Sequence, residues 1–190
     1  MSLLLLLSLL ACTSTTDAPA DSDPEGDDPY FRIFAMGPYE PGLNVSQADA
    51  LCQTKGTSDP PGLGGTWRVW MSDSTEDALN HITGTGPWAV VGSTTVAFAD
   101  HAALGGTSAT ALNVTIDGDT LPVGSKLQTG TLLGGTVSAD TCVDWTDVTT
   151  TSTSFFTVGS ADTASLWTDD GTPAPCVVGS SLVYLLCFQE

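Results

Sequence analysis

The run Leu182-Val183-Tyr184-Leu185-Leu186-Cys187-Phe188 limits the possible folds of this chain more than any other segment. A strand with one wet face alternates polar and apolar residues, and this one does not alternate. It therefore reads as a central strand covered on both faces. Upstream, Phe31, Ile33 and Phe34 predict a first strand. Ser46 reads as a helix N-cap, with Asp49 three residues on. Ala48, Leu51 and Cys52 share one face at helical spacing, and Gly56 is placed to end that helix in a left-handed conformation. Trp67, Val69 and Met71 alternate with Arg68 and Trp70, a strand pattern. Ser74 and Asp77 repeat the capping signal before Ala78, Leu79 and Ile82, and Gly84 is the expected stop. Trp88 to Val91 and Thr94 to Phe98 read as a hairpin about Gly92-Ser93. Ile116-Asp117-Gly118-Asp119 reads as a tight turn. Residues 129–175 are rich in Thr, Ser, Gly and Asp and predict long loops. The class is α+β: two short helices packed on a mixed, mainly antiparallel sheet.

Charge excludes one large class of partner. The chain carries 22 acids against Arg32, Lys55, Arg68 and Lys126, a net charge of −18. Nucleic-acid binding needs a basic footprint, and none is available. Polyanions and anionic headgroups are disfavoured for the same reason.

The N-terminus carries a second constraint. An apolar run from Leu3 to Leu10, broken only by Ser8, ends in Leu9-Leu10-Ala11-Cys12. Crossing a membrane takes about 20 apolar residues, so a run this short ending at a small residue is an export signal. A cysteine directly after it resembles the lipobox of bacterial lipoproteins. That resemblance implies cleavage before Cys12, acylation of its thiol, and a membrane anchor. Export signals carry Lys or Arg near their start. Here only Met1-Ser2 precede the leucines, which a start codon placed too late explains. Thr13, in place of a retaining aspartate, leans toward the outer membrane, at the cell surface or on the periplasmic face. Residues 1–11 are thus read as a signal peptide. Residues 12–29 are read as the lipidated cysteine plus an acidic tether too poor in apolar residues to fold. Residues 30–190 are read as one domain.

Removing Cys12 leaves Cys52, Cys142, Cys176 and Cys187, an even set suited to an oxidising compartment. Four cysteines allow three connectivities, and spacing does not choose among them. No CxxC pair is present, which argues against a thiolate zinc or redox site.

The order of motifs resembles a known domain. A capped helix carries Ala48-Asp49-Ala50-Leu51-Cys52-Gln53. Gly65-Thr66-Trp67-Arg68-Val69-Trp70-Met71-Ser72-Asp73 follows, then the Ile116-Asp117-Gly118 turn, Thr141-Cys142-Val143-Asp144-Trp145, and Tyr184-Leu185-Leu186-Cys187-Phe188. Together these resemble the endostatin-like domain, a relative of the C-type lectin fold, in the version found in bacterial surface lipoproteins. The resemblance implies nested disulfides, Cys52–Cys187 and Cys142–Cys176. It does not carry over the zinc and heparin binding of vertebrate endostatin, because only His81, His101 and two arginines are present. The calcium and sugar motifs of true C-type lectins are missing too.

Few residues suggest chemistry. His81 and His101 read as surface or boundary histidines, and no Gly-x-Ser-x-Gly elbow accompanies them. Asp117, Asp119, Asp169 and Asp170 offer hard oxygen ligands for calcium, though solvated turn aspartates are the simpler reading. Trp67 reads as core, and Trp70 as packed under a loop. Trp145 and Trp167 lie in loop-rich sequence and are the candidates for ligand contact, against core packing beneath long loops. No cofactor is implied. The expected function is a non-catalytic binding or adhesion module with a protein or glycan ligand. The alternative is a structural envelope protein, and third comes a hydrolase using loop carboxylates.

Overall fold

A computed structural model describes residues 29–58, 62–179 and 182–190. The segment read as an export signal (1–11), Cys12, and the segment read as a tether as far as residue 28 lie outside the described residues.

The closing segment is the organising strand. β9 (Val183–Gln189) pairs along one edge with β1 (Phe31–Tyr39), antiparallel, with Phe34 opposite Cys187. Two short strands share its other edge. β2 (Trp67–Val69) runs antiparallel, with Val69 opposite Cys187, and β5 (Lys126–Gln128) runs parallel, with Leu127 opposite Tyr184. β3 (Trp88–Val90) extends the sheet parallel to β1, and β4 (Val96–Phe98) closes a hairpin onto β3. That connection takes residues 91–95 rather than the two-residue turn expected. β7 (Val158–Ser160) pairs with β5. A separate two-stranded ribbon joins β6 (Phe155–Phe156) to β8 (Ala174–Pro175). The result is an α+β domain with few, short helices on a mixed sheet.

Both faces of β9 are covered, as its lack of alternation requires. Leu186 and Phe188 enter one apolar cluster with Ile33, Ala35, Trp70, Trp88, Phe98 and Trp167. Val183, Leu185 and Cys187 enter a second with Phe34, Met36, Trp67 and Val69. The period-2 geometry of a strand thus splits one apolar run between two cores.

α1 (Val45–Ser58) covers the second face through Ala48, Cys52 and Gly56. Its cap lies two residues before Ser46. The Asn44 side chain accepts from Gln47 N at 2.9 Å, and the Gln47 side chain accepts from Asn44 N at 3.1 Å, a reciprocal capping box. Ser46 falls inside the helix. Asn44→Ala removes half of this box and is expected to lower stability by about 1 kcal/mol, read from the urea midpoint. Gly56 does not stop the helix, which continues to Ser58. It is small because Trp67 lies on it: a Cβ there would stand 2.4 Å from Trp67 Nε1.

α2 (Ala78–His81) is a single turn. Its first amide, Ala78 N, donates to the Ser72 hydroxyl at 2.7 Å. A 3-10 turn, His101–Gly105, is capped by Asp100, which accepts from Ala103 N. Two disulfides are present. Cys52–Cys187 ties α1 to β9 across 135 residues, and Cys142–Cys176 closes a span of 34.

The hydroxyl-rich loops are stitched to the sheet rather than left in water. Trp70 Nε1 donates to Thr168 Oγ1 at 2.8 Å, and Thr129 Oγ1 donates to Thr168 O at 2.7 Å. The Ser72 and Thr131 hydroxyls meet at 2.9 Å. All of these residues are buried. Polar groups can be buried here because each finds a partner.

Candidate functional site

Beyond the end of β2 the chain enters a loop, Ser72 to Asp77, against which residues 141–147 are packed. This second segment has an unusual backbone. Cys142, Val143, Asp144 and Trp145 have φ of 51°, 53°, 53° and 63°. They form one turn of left-handed helix. L-residues disfavour this hand by about 1–2 kcal/mol each, because Cβ crowds the next carbonyl. For a β-branched residue such as Val143 it is a true outlier.

Tertiary partners hold the turn. Trp145 N donates to Thr141 O at 2.7 Å, and Asp147 N to Cys142 O at 2.9 Å. The Cys142–Cys176 bond fixes its start. Asp144 accepts from Ser74 N at 2.7 Å and from the Ser74 hydroxyl at 2.6 Å. Trp145 Nε1 donates to Ser72 O at 3.1 Å, and its ring packs edge-on to Phe156. Gly130 leaves room for that ring, since a Cβ there would stand 2.6 Å from Trp145 Cζ2. Val143, by contrast, is 64% exposed. A residue that strains the backbone is thus held in place with its side chain in solvent.

The same 72–77 loop also forms an acidic cleft of about 340 Å³, lined by Asp73, Ser74, Thr75, Glu76, Asp77 and Asn80, with Val137. Its carboxylates already have internal partners. Asp73 accepts from Thr75 N at 2.8 Å, from the Thr75 hydroxyl at 2.6 Å and from Glu76 N at 3.1 Å. Burial alone would raise the Asp73 pKa, but these bonds and nearby His81 outweigh it and hold it below the usual value. Asp77 accepts from Val137 N at 2.6 Å. Behind the cleft sits His81, only 5% exposed, so the expected surface histidine is a buried one. The reason is that Asp49 of α1 and Glu76 close on its ring from either side. His81 Nδ1 lies 2.9 Å from Glu76 and Nε2 lies 3.0 Å from Asp49. Burial pulls its pKa down, but the two carboxylates outweigh burial and raise it above the ordinary value.

The two tryptophans named as candidates for ligand contact follow the other reading, core packing beneath the loops. Trp145 is 4% exposed and Trp167 is fully buried. Trp167 lies 4.7 Å from the Trp70 ring and 5.0 Å from Phe98, and its Nε1 donates to Gly106 O. The long loops wrap over these rings instead of presenting them, because an indole ring removes more apolar area from water than other side chains do.

The remaining candidates serve local structure. Asp117 sits in the expected turn, closed by Gly118 N to Thr115 O, and pairs with Lys55 at 3.8 Å. Asp119 is exposed in the same turn. Asp169 accepts from Gly171 N, and Asp170 accepts from Thr172 N and pairs with Lys126. Among the described residues, no three His, Cys, Asp or Glu side chains converge as metal ligands. His101 Nε2 meets Leu79 O and Ile82 O at 2.9 and 2.7 Å, bracing α2. Among the described residues, no helix is long and apolar enough to cross a membrane.

Residue type signals neither the left-handed turn nor the Asp49–His81–Glu76 bridge. The turn contains no glycine or asparagine, and Asp49 and His81 are 32 residues apart. Neither a protein-family model nor a curated protein matches the chain.

Proposed function

We propose that this chain is a lipid-anchored extracytoplasmic module, of the endostatin-like, C-type-lectin-related type, that binds a protein or glycan ligand without catalysis. Cys12 is its anchor in this reading, and the bacterial outer membrane its location. Support for the fold assignment comes from the capped helix bearing Cys52, the aromatic β2, the closing β9 and the nested disulfides. The observation that carries the binding reading is the left-handed turn at 142–145. Glycine takes this conformation without steric cost, yet a valine stands at its exposed position. An apolar group held in water at a cost in backbone energy is better explained by recognition than by stability. Against a hydrolase stands His81: both its ring nitrogens are hydrogen-bonded to carboxylates and neither to a nucleophile.

The test separates fold from function. Val143→Gly relieves the backbone and removes the exposed isopropyl group. It is expected to raise stability by about 0.5–1 kcal/mol, the relief of the left-handed conformation less the added chain entropy. The disulfide-bonded protein is screened against glycans, matrix proteins and envelope fractions. Saturable binding that Val143→Gly weakens by about tenfold (some 1.4 kcal/mol) supports the proposal. No binding across the panel favours the structural envelope role instead.

A further inference from the structure

We propose that His81 is a proton-operated latch: its imidazolium joins α1 to the 73–77 loop, and losing the proton frees that loop together with its contact to the left-handed turn. The geometry carries this. Both ring nitrogens face carboxylate oxygens, Asp49 at 3.0 Å and Glu76 at 2.9 Å. Carboxylates only accept, and only the protonated ring donates from both nitrogens. A neutral ring turns a lone pair toward one of the two oxygens, and one bond becomes a repulsion.

The surrounding charges decide which carboxylate lets go. On α1, Asp49 also accepts from Val69 N at 2.8 Å and lies 3.7 Å from Arg68 of β2. Arg68 is in turn 3.1 Å from Glu190, which follows β9. Asp49 therefore stays anchored when the ring is neutral. Glu76 is half exposed and can turn to water. Asp73 faces the ring from the same loop, and its attraction to the imidazolium is lost at the same time. Asp77 lies at the start of α2 and is committed to Val137 N. His101, on the other side of α2, meets only backbone carbonyls of that element.

Release of Glu76 is not a local event. The 73–77 loop is bonded to Val137 through Asp77 and to the left-handed turn through Ser74 and Asp144. Its looser packing reaches both the cleft and the left-handed turn. The latch is independent of whether the loops bind a ligand.

The direction with pH follows from linkage. The folded-state pKa of His81 is raised, so its contribution is fully present below the unfolded histidine value of about 6.5 and disappears as pH rises through the folded value. The loop is held at acidic pH and released as pH rises through that raised value.

The experiment uses the intact, disulfide-bonded protein. Nitrogen-15 NMR of the imidazole reports whether both ring nitrogens carry protons at pH 6 and where the ring titrates. Amide hydrogen exchange, corrected for intrinsic rates, is followed at Ser74, Glu76 and Val137 from pH 6 to 9. The expected result is a doubly protonated ring that titrates above 6.5. Protection at the three amides should fall about tenfold through the same midpoint, while β1 and β9 amides stay unchanged. His81→Gln should flatten that profile. A ring with one N–H at pH 6, a midpoint at or below 6.5, or protection at Ser74, Glu76 and Val137 that ignores the His81 midpoint overturns the latch. The native protein decides the question even if the glutamine variant does not fold.

Discussion

Replacing Cys52 and Cys187 together by alanine is expected to cost about 5 kcal/mol, the upper end of the range for a single disulfide. The bond closes 135 residues, nearly the whole described domain. By chain entropy, the denatured state it restrains is larger for a longer loop, and the 34-residue span of Cys142–Cys176 is worth about 1 kcal/mol less. The long bond also sits at the busiest point of the sheet, where Cys187 faces Phe34 on one strand and Val69 on another. With a urea slope of about 2–3 kcal/mol/M, the midpoint should fall by about 2 M. A fall of under 0.5 M would mean that α1 stays docked on β9 by packing alone.

Gly159→Ala is expected to be nearly as damaging, for a different reason. A Cβ on Gly159 would lie 1.8 Å from the carbonyl oxygen of Trp167 and 3.0 Å from Thr168 N. These are backbone atoms, so no side chain can swing aside. The adjoining bond from Ser160 N to Leu166 O, 2.8 Å long, holds the two segments together. Separating them lifts Trp167 from Trp70 and Phe98 and disturbs the Thr168 hydroxyl under Trp70. Overpacking of side chains costs about 1–3 kcal/mol, and a clash confined to backbone should exceed that. Loss of the near-ultraviolet signal from buried tryptophan, with urea unfolding shifted by more than 1 M, is the expected reading. A wild-type midpoint would show that the two segments can part without loss.

How far the sequence carries the argument varies with the range of the interaction. β9 was legible because burial on both faces leaves a local trace, the missing alternation. The 116–119 turn was legible for the same reason, since Asp-Gly chemistry acts within four residues. The start of α1 was misplaced because Asn44 and Ser46 are both good caps. What distinguishes them is Gln47, which returns to the Asn44 amide, whereas Asp49 turns away to Val69 and His81. Gly56 carried a stop signal but answers to the size of Trp67, eleven positions on. Trp145 and Trp167 looked like loop aromatics because their neighbours are hydroxyl residues. Of those hydroxyls, Thr146 donates to Val143 O, and Thr168 donates to Thr131 O while accepting from Trp70 Nε1, so the segments pack as core. The left-handed turn left no trace in residue type, because its conformation is imposed by a disulfide, by Ser74 and by Ser72 O.

The position of β9 also constrains the order of assembly. β1, β2 and β5 have this strand as their common neighbour, so they join into one sheet only when residues 183–189 are in place. A chain threaded head-first through a pore would hold β1 with β3 and β5 with β7 as separate pieces until that strand emerged. The high sequence separation of these pairings makes the closing step slow. Such a domain stays in separable pieces until its central strand arrives, and that last arrival closes it.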